Sequence, residues 1–346
     1  MRAISAVDSV SPAIQRTRDF LFKPFSWGTY LKLGLVAIIT EGAGRSFRSS
    51  SHGGHPSGPS PTIHSPFHLT PEWCAAIVAA VLVVIVLSMV IAYLITRLRF
   101  AFFHCLIHNT KEIRPGWRLY RTQATRFFWM NIVVGLGFLL LVVLVALPFV
   151  EGFWRLIRET PPGGHPDLGL LLSLVLPLIP IILLLALAGI LTDVILRDLM
   201  LPHYALENAM AGEAWISVWD RILDEKRQFA VYALLRVVLP VIAGIGLFIV
   251  LIIPGLIVAG SLAAFVYGIH SAFAGATGAT MIVGVIIQAF FGLLAFVLML
   301  LASICLGGPL STGIREYALI FYGGRYQALG EILYPSSPTF HTKTGQ

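Results

Sequence analysis

The sequence predicts an all-α, polytopic membrane protein, a helix bundle that crosses the bilayer about six times and carries amphipathic helices at its cytoplasmic interface. Three observations carry this. Only 12% of the 346 residues are charged while 57% are hydrophobic, and a soluble domain carries about 25% charged residues. Long stretches, such as 75–95, contain no charge at all. Lysine and arginine collect at the ends of those stretches. A chain of this length can bury a core and still keep an ordinary charged surface, so the shortage of charge means that most of the exterior meets lipid. The formal net charge of +7 would suggest nucleic acid in a soluble protein. Here its placement points to anionic lipid headgroups and to topology, with no nucleic-acid partner.

The chain begins with polar and charged residues through Lys23, and no small-x-small cleavage pattern follows the first apolar run. Insertion by an uncleaved first helix is expected. Ser11-Pro12 reads as an N-cap followed by proline at the first helical position. Val10, Ile14, Leu21, Phe22 and Phe25 then fall near one face, and Gln15, Arg16, Arg18 and Asp19 on the other. Residues 1–26 are therefore expected to hold a cytoplasmic or interfacial helix. The alternative is an ordinary leading turn of the first span.

The transmembrane domain is expected over residues 27–306, with spans at about 27–41, 73–96, 127–150, 168–196, 229–253 and 281–305. The first is short for a hydrocarbon core that needs about 20 residues, but Lys32 can snorkel to the interface. Residues 42–71 are rich in Gly, Ser, Pro and His and read as a flexible loop. Pro177 and Pro180 give the long fourth span a kink site. Pro254-Gly255 interrupts the fifth, and the Gly- and Ala-rich stretch to Thr280 reads as a re-entrant hairpin, a helix packed along the bundle or an extra span. Residues 307–346 are expected to be a cytoplasmic tail.

Topology follows from lysine and arginine. The segments before the first span and after the second, fourth and last hold 18 of them, and the intervening loops hold four. With basic residues retained inside, both termini are cytoplasmic. A weak internal repeat runs through the two large cytoplasmic segments. Arg99 and Arg197 are 98 residues apart, as are Trp117 and Trp215, while Asn109 and Asn208 are 99 apart. In the second segment Trp215, Ile216, Trp219, Ile222 and Leu223 share a helical face, with Asp220, Arg221, Asp224 and Glu225 elsewhere. In the first, Trp117, Tyr120 and Phe127 fall among Arg114, Arg118, Arg121 and Arg126. Two interfacial helices are expected, with Trp117, Trp215 and Trp219 and the arginines Arg114, Arg118 and Arg121 at headgroup level. The alternative is that both are extensions of the spanning helices.

Ionisable residues inside spans are few. Asp193 and Arg236 lie one and two turns inside the cytoplasmic ends of their spans, a depth that suits an intramembrane pair, either a static clamp or a coupled one. His52, His55, His64 and His68 lie in the Gly/Ser/Pro loop, where nothing imposes ligand geometry. His104 and His108 share a helical face with Glu112, a possible metal set without an HExxH pattern. Cys74, Cys105 and Cys305 sit in or beside apolar runs and read as packing residues. Gly275, Ala276, Gly278, Ala279 and Gly284 permit close helix approach. No phosphate loop, dinucleotide fingerprint or nucleophile elbow is present. No catalytic residue, cofactor or metal is assigned.

Three stretches carry a family likeness: FKPFSWGTYLKLGLVAII near the start, RDLMLPHYALENAMAGEAWISVWDRILDEKRQFAVYALLRVVLP in the middle, and GPLSTGIREYALIFYGG after the last span. In layout the chain resembles prokaryotic multi-pass membrane proteins of unassigned function, and is similar to the membrane domain of membrane-anchored glycerophosphodiester phosphodiesterases. The resemblance implies a multi-pass protein of a prokaryotic cytoplasmic membrane. It implies no catalytic residue, because the catalytic domain of those phosphodiesterases is soluble and separate.

The expected role is non-enzymatic: organising lipids, anionic headgroups among them, or a protein partner at the cytoplasmic face. One alternative is a small-solute transporter or channel, motivated by the repeat, the prolines and the Asp193 and Arg236 charges. The other is a lipid-modifying enzyme.

Overall fold

A computed structural model describes residues 4–49, 71–159, 168–272 and 279–334. In chain order the helices are α1 (Val10–Phe22), α2 (Trp27–Ser49), α3 (Pro71–Ile107), α4 (Ile113–Leu119), α5 (Arg121–Glu159), α6 (Leu168–Val194), a π-helical turn (Ile195–Met200), α7 (Leu201–Leu206), α8 (Ala211–Asp224), α9 (Lys226–Ala272), α10 (Ala279–Gly323) and α11 (Gln327–Leu333). No strand occurs among the described residues. The chain divides into two units, Met1–Trp117 with Ala230–Gln346, and Arg118–Phe229.

Five segments are long and apolar enough to cross a membrane: Ala75–Ile107, Arg121–Leu156, Leu171–Leu206, Lys226–Ile253 and Ile282–Gly323. At most 6% of the most apolar window of each is buried within the protein. Side chains such as Val83, Leu140, Leu184, Ile249 and Met299 stand exposed. A helix that is apolar all round and unburied by its own chain is solvated by lipid. The protein is a multi-pass integral membrane protein.

In the first unit the buried core lies at one end of these segments. It gathers Phe20 and Leu21 of α1, Phe100, Phe103 and Leu106 of α3, and Tyr317, Phe321 and Tyr322 of α10. Tyr232 of α9 stacks on Phe321, with ring centroids 4.3 Å apart and planes within 8°. Between lipid-bathed helices the hydrophobic effect gives no reason to associate. At the ends, where water returns, burial of aromatic surface stabilises packing again.

The helix α2 covers the first expected span but is not among the five membrane-crossing segments. It buries Tyr30, Leu33, Val36, Ala37 and Thr40 and packs on α10 and α3. Two glycines make the crossing with α10: a Cβ on Gly308 would lie 2.7 Å from the Gly34 Cα, and one on Gly34 would lie 3.3 Å from the Ile304 carbonyl oxygen. This is a close helix approach outside the Gly275–Gly284 stretch. Gly275, Ala276 and Gly278 lie outside the described residues, and Gly284 is buried.

Several boundaries differ from expectation. The helix α2 continues to Ser49, into the stretch read as loop; the histidines at 52, 55, 64 and 68 lie outside the described residues. The helix α9 runs unbroken through Pro254-Gly255 to Ala272, so that proline is carried inside a helix. The helices α5 and α6 likewise carry Pro148, Pro177 and Pro180 internally. The helix α10 passes the expected end of its span and continues to Gly323, because Ile314, Tyr317, Ala318, Leu319, Ile320 and Phe321 are buried there.

The second unit packs Ala124, Phe127 and Phe128 of α5 with Leu199, Leu201 and Tyr204 and with Ala214 and Val218 of α8. Tyr204 meets Phe127 edge-on at 5.3 Å, and its hydroxyl donates to the Met130 Sδ at 3.1 Å.

Gly308→Val is expected to lower the detergent-solubilised melting temperature, at a cost of about 1–3 kcal/mol for overpacking against backbone that cannot yield. Gly292→Val, where a Cβ meets nothing within 4 Å, should leave the melt unchanged.

Candidate membrane-interface site

The helix α8 is amphipathic in an unusual sense. Its small residues Ala214 and Val218 are buried, and its large apolar residues Trp215, Ile216, Trp219 and Leu223 are 44%, 62%, 45% and 45% exposed. Trp215 and Trp219 stack with ring centroids 6.0 Å apart and planes within 9°. Asp220 and Asp224 are also exposed. The helix starts at Met210, whose N–H donates to the Glu213 Oε2 at 3.1 Å, a reciprocal capping contact.

A polar bolt holds α8 in place. The Arg221 Nη1 lies 3.1 Å from the His203 Nε2, and the His203 Nδ1 lies 3.1 Å from the Glu207 Oε2. Guanidinium only donates, so Nε2 accepts, Nδ1 carries the proton and donates to Glu207, and the ring is neutral. Arg221 also donates to the Ser217 carbonyl at 3.2 Å.

Arg114, Arg118 and Arg121 are exposed. Trp117 is half-buried and differs from Trp215 and Trp219. The Arg97 guanidinium lies 4.5 Å from its ring centroid, and the Arg97 Nη2 donates to the Trp117 carbonyl at 3.1 Å. The helix α4 sits tight on α3 through Gly116, where a Cβ would lie 2.8 Å from the His104 Cβ.

The repeat has a backbone counterpart. The described non-glycine residues with positive φ are Asn109, at 52°, and Asn208, at 53°. Each follows a helix end, and each precedes a short helix carrying the matched tryptophan, Trp117 or Trp215. Asparagine tolerates this left-handed region better than other side chains. From Arg99 to His104 is five residues, but from Arg197 to His203 is six. The π-helical turn at Ile195–Met200 absorbs the additional residue, which is why the spacing changes from 98 to 99.

The profile of a family of unknown function (DUF7544) matches residues 4–332. The chain belongs to this family. No curated protein and no solved structure matches it.

In this DUF7544 chain Asp193 and Arg236 each have a partner within their own unit. Asp193 holds Arg197 at 2.6 Å, one turn on. Arg236 holds Glu41 at 2.9 Å, both side chains close to fully buried. The Arg99 Nε donates to the carbonyl of Thr40 beside it, at 3.0 Å. Glu41 was not singled out from sequence, although it is the acid that closes the first apolar run.

A second buried pair joins α1 to α10. The Arg16 Nε lies 3.1 Å from the Glu316 Oε2, and the Glu316 side chain is fully buried. The Arg16 Nη2 donates to the Leu106 carbonyl at 2.8 Å. Arg16 therefore does not lie on a water-facing side of the first helix, as its position in the pattern suggested. The available signal was Arg315-Glu316 inside an otherwise apolar run. Beside Arg16 opens a cavity of about 480 Å³ whose lining includes Gln15, Asp19, His108, Asn109 and Tyr334. Burial pushes the Tyr334 phenol above its ordinary pKa, so it stays neutral there.

The His104 and His108 rings stand 4.5 Å apart. Cys105 is turned away from them, its thiol donating to the Glu112 carbonyl at 3.3 Å. No group of three or more potential metal ligands occurs among the described residues.

An aromatic lip joins α1 to α2. The Phe22 and Phe25 rings stack at 6.0 Å, Trp27 meets Phe25 edge-on at 5.1 Å, and the Tyr30 hydroxyl donates to the Cys305 carbonyl at 2.5 Å. Phe22, Phe25 and Trp27 are exposed, which suits the headgroup level of a bilayer.

Arg16→Met should destabilise the protein by about 3 kcal/mol by removing the ion-pair partner of a buried carboxylate. Arg16→Met with Glu316→Met should recover most of that loss, read as melting temperature in a double-mutant cycle.

Proposed function

We propose that this protein is non-enzymatic and organises lipids or protein partners at the cytoplasmic face of a prokaryotic cell membrane, with both termini on that side. The observation that carries this reading is α8: a helix pinned by Ala214, Val218 and the Arg221–His203–Glu207 bolt, presenting Trp215, Ile216, Trp219 and Leu223 outward. Water is a poor solvent for that face. Tryptophan favours the headgroup level, where the ring body meets acyl chains and its N–H meets water or phosphate. The exposed Arg114, Arg118 and Arg121 supply the electrostatic half, each contributing about 1 kcal/mol near an anionic surface. The likeness in layout to the membrane domain of the phosphodiesterases fits the same reading, since that domain is the membrane-held part and not the catalytic one.

Substituting Arg114, Arg118 and Arg121 by Gln should weaken retention of phosphatidylglycerol by the detergent-purified protein, by about fivefold per arginine, measured by native mass spectrometry. Retention equal to wild type would reject the electrostatic half.

Depth is tested separately. In nanodiscs containing lipid brominated near the headgroup, Trp215 and Trp219 should be quenched. The quenched component should disappear from the emission of a Trp215→Phe, Trp219→Phe variant. An unchanged quenching profile would place α8 in water.

A further inference from the structure

In the first unit an apolar groove of about 310 Å³ runs between α1, α9 and α10. Ile14 and Phe22 of α1, Leu239 and Ala243 of α9, and Leu310 and Ile314 of α10 are among its walls. Gly313 leaves space at the floor, where a Cβ would lie 3.5 Å from the Thr17 Oγ1. The Thr17 hydroxyl is already spent, donating to the Ala13 carbonyl at 2.7 Å.

Leu239 and Ala243 belong to the membrane-crossing segment Lys226–Ile253, and Leu310 and Ile314 to Ile282–Gly323. Ile242 and Ile245, beside the groove on α9, are exposed. The groove is thus continuous with surface that acyl chains already coat. At its rim stands Arg18, exposed and one helical turn from both Ile14 and Phe22. No described acid is paired with Arg18: Asp19 holds Lys23 at 2.8 Å, and Glu316 holds Arg16.

We infer that this groove is a phospholipid site, holding one acyl chain against α1, α9 and α10 while Arg18 meets the lipid's anionic headgroup. Two features select this occupant. The walls are mostly apolar side chains that open onto surface facing acyl chains, so a hydrocarbon chain fills them without desolvating a polar group of its own. The cation at the rim matches a molecule that is apolar along its length and negative at one end. The inference rests on the chain being a membrane protein, and it uses none of the α4 or α8 residues.

Native mass spectrometry of the full-length protein in mild detergent tests it, with phosphatidylglycerol and phosphatidylcholine as probes. Wild type should retain one tightly held lipid and prefer phosphatidylglycerol. Arg18→Gln alters only an exposed position and should reduce that preference about fivefold. Ala243→Phe fills the groove and should remove the lipid. The substitution of Arg114, Arg118 and Arg121 by Gln should leave this most tightly held lipid in place while weakening only the looser, additional phosphatidylglycerol adducts, which separates the groove from the residues of the proposed function. Wild-type headgroup preference in Arg18→Gln, or wild-type lipid stoichiometry in a folded Ala243→Phe, would overturn the assignment.

Discussion

Hydrocarbon solvates most of the middle of the spanning helices in this protein, so burial gathers towards their ends. The apolar windows of the five crossing segments are left almost wholly to lipid. The buried set lies instead where α3 ends, where α9 begins, along the last turns of α10, and around α7 and α8. This distribution follows from the solvent. Leu and Val lose nothing by facing acyl chains, so burying them against a neighbour gains little beyond dispersion. Where the helices re-enter water, aromatic side chains gain the full benefit of burial, and backbone and charged groups find partners.

The buried charges belong to this end-packing. Glu316 on α10, answered by Arg16 on α1, ties the leading helix to the longest part of the core. Glu41, answered by Arg236, does the same for α2 and α9. Ion pairs of this kind contribute little net stability, but each is costly to break singly, and they favour one register over its neighbours. Together with the glycine crossing at Gly34 and Gly308, they turn a short apolar run into a packed helix. The short helices between the spans are set in the same way, α4 by Gly116 and Arg97 and α8 by Arg221 and His203.

Each long membrane segment could be read from composition, because a run of uncharged residues has one favourable solvent whatever its neighbours are. The apolar face of α8 could be read too, since Trp215, Ile216, Trp219 and Leu223 recur at helical spacing. The direction of that face could not. The same periodicity suits a helix that buries its tryptophans and one that presents them, and only the burial of Ala214 and Val218 on the other side decides. Boundaries were misjudged where a helix continued into polar sequence, at Ser49 and at Gly323, because tertiary contacts or helix propagation outweighed local composition. Pro254 failed to end α9 for a related reason: helical neighbours on both sides outweigh the loss of one backbone hydrogen bond.

The sequence by itself determined the solvent, the helical class and the repeat, because hydropathy, charge placement and the spacing of Asn109, Trp117, Asn208 and Trp215 are properties of the chain alone. The tertiary structure decided which polar residues meet. Glu316 finds Arg16 across 300 residues, and Glu41 finds Arg236 across 195. An ion pair depends on where two distant helices cross, and crossing is set by packing of their glycines and aromatic residues, which no local pattern specifies.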